Sequence, residues 1–337
     1  MTADGSDRAY CRAMLPKVSR TFAACINLLP PPLDHHVLVA YLLCRIADTI
    51  EDAPALTADE KRRLLAHFRS QLDEGGPDSD TLQQAFSAGT TDDEQLTRDA
   101  QRTLREFRDF PSNVRAAIRP WVQEMCAGMA GFAAMQPHPD RFQALEQVDD
   151  LDRYCWYVAG TVGHMLTDLF RIHSPRITQP RYQRLKAHAT DFGLGLQLVN
   201  IIKDVADDRR RGWSFVPRQL CLNNGVDPEH LLDPANANAS RQALGALIAK
   251  ARGHLDRALD YCTELPRTEY RMRRFCLTPL YFAIRTLALA QRDQRLLDPA
   301  HKVKISRREV YRTMGVSGLI APSNLLVRNY YRQLASA

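Results

Sequence analysis

The sequence predicts an all-α protein, organised as a single domain over residues 1–337. Three observations carry that expectation. Apolar residues recur at threes and fours, in the series Val37, Ala40, Tyr41, Cys44, Ala47 and again in Leu194, Leu198, Ile201, Ile202, Val205. Alternating stretches bounded by Asn-Gly or Asp-Gly, the mark of hairpins, are nearly absent. Breaks rich in Pro and Gly are separated by segments of helical length, and no repeat period or shift in composition marks a linker.

In chain order, the first break is "LLPPPLD" (28–34), and the helical segment "YLLCRIADTIEDA" (41–53) follows it. Further breaks fall at "DEGGPDSD" (73–80), "MQPHPD" (135–140) and "SPRITQP" (174–180), and "VDPEHLLDPANANAS" (226–240) reads as a loop. Between the third and fourth breaks runs "DRYCWYVAGTVGHMLTDLF" (152–170), an apolar helix containing Gly160 and Gly163. Each glycine costs about 1 kcal/mol against alanine inside a helix, so the pair needs a reason. Close helix packing is one. Room for a long apolar ligand is the other, walled by Tyr154, Trp156 and Tyr157, whose ring faces also stabilise cations.

With 45% hydrophobic residues over 337 positions the chain has ample core, which excludes disordered and collagen-like classes. The net charge of +6 is diffuse, with runs at Arg209–Arg211 and Arg271–Arg274. It suits anionic small molecules or a membrane surface, and no zinc-finger, RNA-recognition or basic-zipper pattern points to nucleic acid. The eight cysteines are scattered without a CxxC pair and sit among apolar neighbours, as free buried thiols do. "MTADGSDRAYCRAML" lacks the apolar stretch of a signal peptide, and Tyr154–Thr167, the longest apolar run without Asp, Glu, Lys or Arg, is too short to cross a bilayer. The expectation is a cytoplasmic monomer, compatible with peripheral contact at the inner membrane face. His35-His36 beside the Pro-rich turn, and His164 after the glycines, form no metal motif and read as surface or packing residues.

Asp48, Glu51 and Asp52 fall at i, i+3 and i+4 of a mainly apolar segment. Side chains so spaced are about 5–6 Å apart at Cβ, and like charges there destabilise a helix. A solvated acidic face is one explanation, a cation-binding stripe the other. A second cluster favours the cation: Asn200, Asp204 and Asp208 lie at successive i+4 steps, with Asp207 beside them. Facing one another, two such helices form an all-oxygen site for hard divalent ions, and Mg2+ takes a few carboxylates with water and substrate phosphate oxygens. Arg45 lies one turn before Asp48, Lys203 adjoins Asp204, Arg209–Arg211 follow Asp208, and Ser19-Arg20 precede the first acidic helix. Structural ion pairs explain Arg45 and Lys203 as well as diphosphate contacts do. The implied chemistry is metal-assisted ionisation of an organic diphosphate, its cation shielded from water by an apolar, aromatic-lined cavity.

"SRTFAACINLLP" (19–30), "AYLLCRIADTIED" (40–52), "EMCAGMAGF" (124–132), "YCWYVAGTVG" (154–163) and "LQLVNIIKDVADDRRRGWSFVP" (196–217) together resemble the squalene/phytoene synthase family, the head-to-head trans-isoprenyl diphosphate synthases. The likeness continues weakly in "FCLTPLYFAIRTLALA" (275–290) and "KVKISR" (302–307), and looks closer to the squalene synthases than to the phytoene branch. It implies a single-domain isoprenoid synthase fold with helices around a central cavity. Carried over by residue, it makes Asp48, Glu51 and Asp52 the first metal motif and Asn200, Asp204 and Asp208 the second, with Tyr154 handling acid–base steps. Ser19, Arg20, Phe22, Tyr41, Arg45, Gln197, Lys203 and Arg211 fall at substrate-binding positions, and Asn200 and Lys304 where the reducing branch meets NADPH.

The implied reaction joins two farnesyl diphosphates through presqualene diphosphate, with Mg2+, and reduces the product to squalene with NADPH. The alternative is a non-reducing relative making presqualene diphosphate, dehydrosqualene or phytoene; more distant ones are a class I terpene cyclase and a non-catalytic assembly factor of the same fold. Three positions depart from the family's pattern. Trp213 stands where a basic residue is usual, which weakens one diphosphate contact or shifts it to Arg210 or Arg211. Lys203 replaces the commoner arginine, and Ser306 stands where squalene synthases put arginine for the cofactor.

Overall fold

The computed structural model describes residues 4–76, 79–133 and 142–336; the break at "MQPHPD" (135–140) and residues 77–78 of "DEGGPDSD" lie outside the described residues. Helices α1 (Asp4–Val18), α2 (Arg20–Ile26), α3 (Leu33–Asp52), α4 (Ala58–Gln71), α5 (Thr81–Ala85), α6 (Asp92–Arg98), α7 (Ala100–Arg108) and α8 (Ser112–Phe132) fill the first part. Then come strand β1 (Gln143–Ala144), α9 (Val148–Cys155), a π-helical turn (Trp156–Gly160), α10 (Thr161–His173), α11 (Gln179–Arg210) and β2 (Trp213–Ser214). Helices α12 (Arg218–Asn223), α13 (Ala237–Glu264), α14 (Tyr270–Arg292), α15 (Arg307–Ile320) and α16 (Asn324–Ser336) complete the chain. The all-α class holds: among the described residues the only sheet is the two-residue parallel pair β1–β2. No described helix is long and apolar enough to cross a membrane.

Contacts divide the chain into two compact units, Met1–Ala134 with His164–Thr178, and Met135–Gly163 with Gln179–Ala337. The first is built on α3. It starts directly after the Pro-rich turn and buries fifteen of its twenty residues, which explains why its sequence is apolar almost all round. Helices α1, α4, α6, α7 and α8 pack against it. Capping boxes start α4 (Thr57 with Glu60) and α6 (Thr91 with Glu94). His35 bonds Glu106 at 2.6 Å and His36 Nδ1 lies 2.9 Å from His173 Nε2, so this pair packs the interior and the surface option falls away. His164 stacks on Trp121 at 4.9 Å.

In the second unit α11 runs along α13, and α14 packs on both. The two glycines of "WYVAGTVG" now have their reason. A Cβ on Gly163 would meet the Ala189 carbonyl oxygen at 2.0 Å, one on Gly160 would meet the Trp156 ring at 2.7 Å and Leu194 Cδ1 at 3.2 Å, and one on Gly193, across on α11, would meet the Ala159 carbonyl oxygen at 2.1 Å. Close packing of the π turn and the start of α10 onto α11 therefore requires glycine on both sides, and the ligand-room explanation is not needed for them. Gly212, at φ +79°, ends α11 in a left-handed turn, after which β2 pairs with β1. The loop expected at 226–240 is two short 3-10 turns, Pro228–His230 and Pro234–Asn236, and α13 already begins at Ala237. The basic run 271–274 is not a solvated patch: Arg273 is fully buried and donates to Leu265 O at 2.7 Å and Asn324 Oδ1 at 2.5 Å. All eight cysteines are buried and free, as expected.

Candidate functional site

The first unit gathers its share of the expected site on one stripe of α3. Tyr41, Arg45, Asp48 and Asp52 follow one another at steps of four, three and four, so their side chains leave one face of the helix. Helix α2 lies beside them. Ser19 is its N-cap, accepting from Phe22 N at 3.2 Å, and Phe22, one of the few large apolar side chains left exposed, sets its ring 5.5 Å from Tyr41. Tyr41 is hydrogen-bonded to Ser19, and burial raises its phenol above the ordinary value. The backbone of Arg20 opens α2, while its side chain lies outside the described residues.

Arg45 has a partner that sequence spacing does not reveal. Its Nε donates to Asp93 Oδ1 at 2.7 Å and its Nη2 to Asp93 Oδ2 at 3.1 Å, whereas Asp48 stays 3.8 Å away. The acids themselves are poorly compensated. Burial pushes the Asp48 carboxyl up to about 7 against the pull of Arg45, with Asp52 and Asp93 adding to the rise, although 34% of its side chain stays open. Glu51 is only 3% exposed. Burial, then Asp52 and Asp48, raise it well above the carboxylate range, and Lys61, equally buried and lowered by that burial, offsets only part. Carboxyls raised in this way are ones whose charged form a divalent cation would favour. The donor set therefore fits Mg2+.

The second unit carries Gln197, Asn200, Asp204 and Asp208 on α11, the helix pinned by the glycine contact to the π turn that follows Tyr154. Asn200 is exposed and both aspartates half-exposed. Lys203 pairs with its neighbour Asp204. Asp207 is held by Lys302 and Arg210, whose hydrogen bonds lower its carboxyl. Among the described residues no three His, Cys, Asp or Glu side chains converge on one metal position. Mg2+ rarely asks for that, since water and phosphate oxygens complete its shell.

Residues 15–309 match the squalene/phytoene synthase family model. The chain belongs to the squalene/phytoene synthase family. It is 31% identical to a squalene synthase of Eremothecium gossypii over 306 residues, 90% of this chain and 66% of that protein. Squalene synthase 1 of Arabidopsis thaliana is also 31% identical, over 88% of this chain and 68% of its own length. The chain thus spans about two thirds of the length of these curated relatives. A solved complex of TcSQS with the ligand E5700 superposes with a TM-score of 0.83 at 26% identity, covering 98% of this chain and 91% of that one.

Set on the family's motifs, the remaining positions sort clearly. Tyr154 packs its ring on Phe215 at 4.7 Å, and Phe215 meets Trp213 edge-on at 5.4 Å. Trp213 is 6% exposed, within β2, so it acts as a buried wall behind Tyr154's neighbour, a role unlike that of the basic residue usual there. Arg209 covers the Phe142 ring and donates to Glu229 O, Arg210 serves Asp207, and Arg211 is exposed. Lys304 is exposed as well, and Ser306 caps α15 with Glu309, which accounts for a serine there. Asp93, Lys61, Phe215 and Lys302 are the neighbours of the site that pattern reading missed. The one available signal was the acid run "DDE" at 92–94, and it reads first as a helix start.

Proposed function

We propose that the chain is a squalene synthase, acting as one domain and as a monomer: two farnesyl diphosphates join head to head through presqualene diphosphate, and NADPH reduces that intermediate to squalene. The observation that carries this reading is the pair of oxygen-bearing stripes on α3 and α11, each with a basic side chain at hand, the carboxyls of the first raised by burial. Mg2+, held by Asp48, Glu51 and Asp52 and by Asn200, Asp204 and Asp208, supplies charge for the departing diphosphate. Arg45 on α3 and Lys203 on α11 would each offer N–H donors to phosphate oxygens. Ser19 and Gln197 add neutral donors, Arg20 and Arg211 further charge, and Phe22 and Tyr41 an aromatic surface for a prenyl chain.

In the first step the C1–O bond of one substrate breaks, diphosphate leaves, and the alkene of the second substrate takes the cation. A proton lost in closing the cyclopropane passes to the released diphosphate, with Tyr154 as its carrier. In the second, the remaining diphosphate leaves and a hydride from NADPH quenches the rearranged cation, giving squalene, diphosphate and NADP+. Exposed Asn200 and Lys304 suit the amide and phosphate groups of that cofactor. A non-reducing outcome draws support from Ser306, which serves as a helix cap where squalene synthases put arginine for the cofactor.

The test is to incubate the protein with farnesyl diphosphate and Mg2+, with and without NADPH, and identify the hydrocarbons. Squalene only with NADPH supports the two-step enzyme. Presqualene diphosphate or dehydrosqualene regardless of NADPH selects the non-reducing branch. No product from farnesyl or geranylgeranyl diphosphate would sink both.

A further inference from the structure

We infer that Asp93 is the positioning residue of Arg45, fixing the guanidinium plane from which a diphosphate is bound; this rests on the function proposed above. Arg45 is gripped through Nε and Nη2 by the two oxygens of one carboxylate, at 2.7 and 3.1 Å. A guanidinium held by that edge cannot swing about its terminal bond, and the direction of the Nη1 edge is set. That edge stands 3.8 Å from Asp48 Oδ2, beyond hydrogen-bond reach. Asp93 thus keeps Arg45 beside the acid stripe without letting it close on Asp48. The remaining N–H groups stay available to phosphate oxygens, and Asp48 stays available to a cation.

The carboxylate is itself well anchored. Asp93 sits in the first turn of α6, whose start is fixed by the Thr91–Glu94 capping box, and its carbonyl accepts from Thr97 Oγ1 at 3.0 Å. Both partners are about one-third exposed, at 32% and 33% of side-chain surface, so an arriving ligand reaches Arg45 without the pair having to open. Asparagine at 93 would offer one acceptor and turn an N–H2 toward a guanidinium N–H, and the two-point grip would be lost.

The experiment uses Asp93→Asn, with Asp93→Glu as the conservative rescue. Asp59→Asn, which removes an exposed α4 acid that pairs with Arg62, controls for charge loss elsewhere in the same unit. Two readouts are taken: KM and kcat on farnesyl diphosphate, and the calorimetric Kd for inorganic pyrophosphate with Mg2+. Asp93→Asn should raise KM and the pyrophosphate Kd about tenfold, with kcat falling less than about threefold. Asp93→Glu should recover part of the loss, and Asp59→Asn should move neither value. A lower melting temperature with unchanged pyrophosphate affinity would reduce Asp93 to a helix-start residue and overturn the inference. Wild type that binds pyrophosphate, weakened in Asp93→Asn, yet turns over no prenyl diphosphate would keep this role and refute the proposed function. Wild type that binds no pyrophosphate would overturn both.

Discussion

The two acidic stripes look alike in sequence and differ in condition. On α3 the acids are crowded into protein, with Glu51 almost wholly buried and carboxyls pushed upward by burial and by each other. On α11 they are half-exposed and cations are already present: Lys203 on Asp204, and Lys302 with Arg210 on Asp207. Equal spacing therefore does not mean equal need for a ligand. The α3 stripe is the one whose stability a bound cation should change most, and the α11 stripe is close to neutral before anything binds.

The strongest way to break this comparison is turnover. Asp48→Asn and Asp204→Asn should each lower kcat/KM for farnesyl diphosphate about a thousandfold or more, because both acids are assigned to metal-borne charge stabilisation. Unchanged turnover in either would remove that stripe from the chemistry. Next comes the scaffold of the second stripe. Gly163→Ala places a Cβ against the Ala189 carbonyl and should cost about 3 kcal/mol in denaturant unfolding. A cost near zero would mean the start of α10 and α11 are not held by that contact.

Acid exposes a different weakness of the α3 unit, independent of its carboxylates. Burial, with His173 and His35 nearby, lowers His36 from its ordinary 6.5 to about 4. The unfolded chain takes up a proton near pH 6.5 that the folded chain refuses until about 4. Stability is therefore whole above 6.5 and falls as pH drops from there to about 4, by about 3 kcal/mol in all. His36→Phe should flatten that part of a pH–stability curve measured by urea unfolding. The smallest effect sharpens the comparison most. Without ligand, Asp48→Asn should raise the melting temperature by on the order of 2 °C, since it removes a crowded charge. Asp204→Asn should leave it level or slightly lower, since Lys203 loses its partner. Melting shifts of the same sign would show that the two stripes do not differ as described.

The helices and both stripes were legible because they are local: residues at i+3 and i+4 meet on a helix whatever else the chain does. What escaped was non-local. Arg45 and Asp93 are separated by 48 positions and Lys302 and Asp207 by 95, and no helical period links them. The π turn escaped because its amino acids also suit an α-helix, and only the contact with Gly193 explains the register. Sequence left Gly160 and Gly163 divided between packing and ligand room, since both call for a missing side chain. The burial of Arg273 within the basic run 271–274 was also hidden, because it depends on acceptors at the end of α13 and on Asn324.

The cysteines give the molecule a pair of built-in clocks. Cys11, Cys25, Cys44 and Cys126 belong to one unit and Cys155, Cys221, Cys262 and Cys276 to the other, all eight out of solvent. Alkylating reagents attack thiolates that reach water, and burial raises the thiols of Cys11, Cys126 and Cys221 to about 12. Labels therefore accumulate only as fast as each unit opens. Peptide mapping after timed exposure would read the two opening rates side by side in one unmodified sample, and Mg2+ with pyrophosphate should slow the first four sites more than the second four.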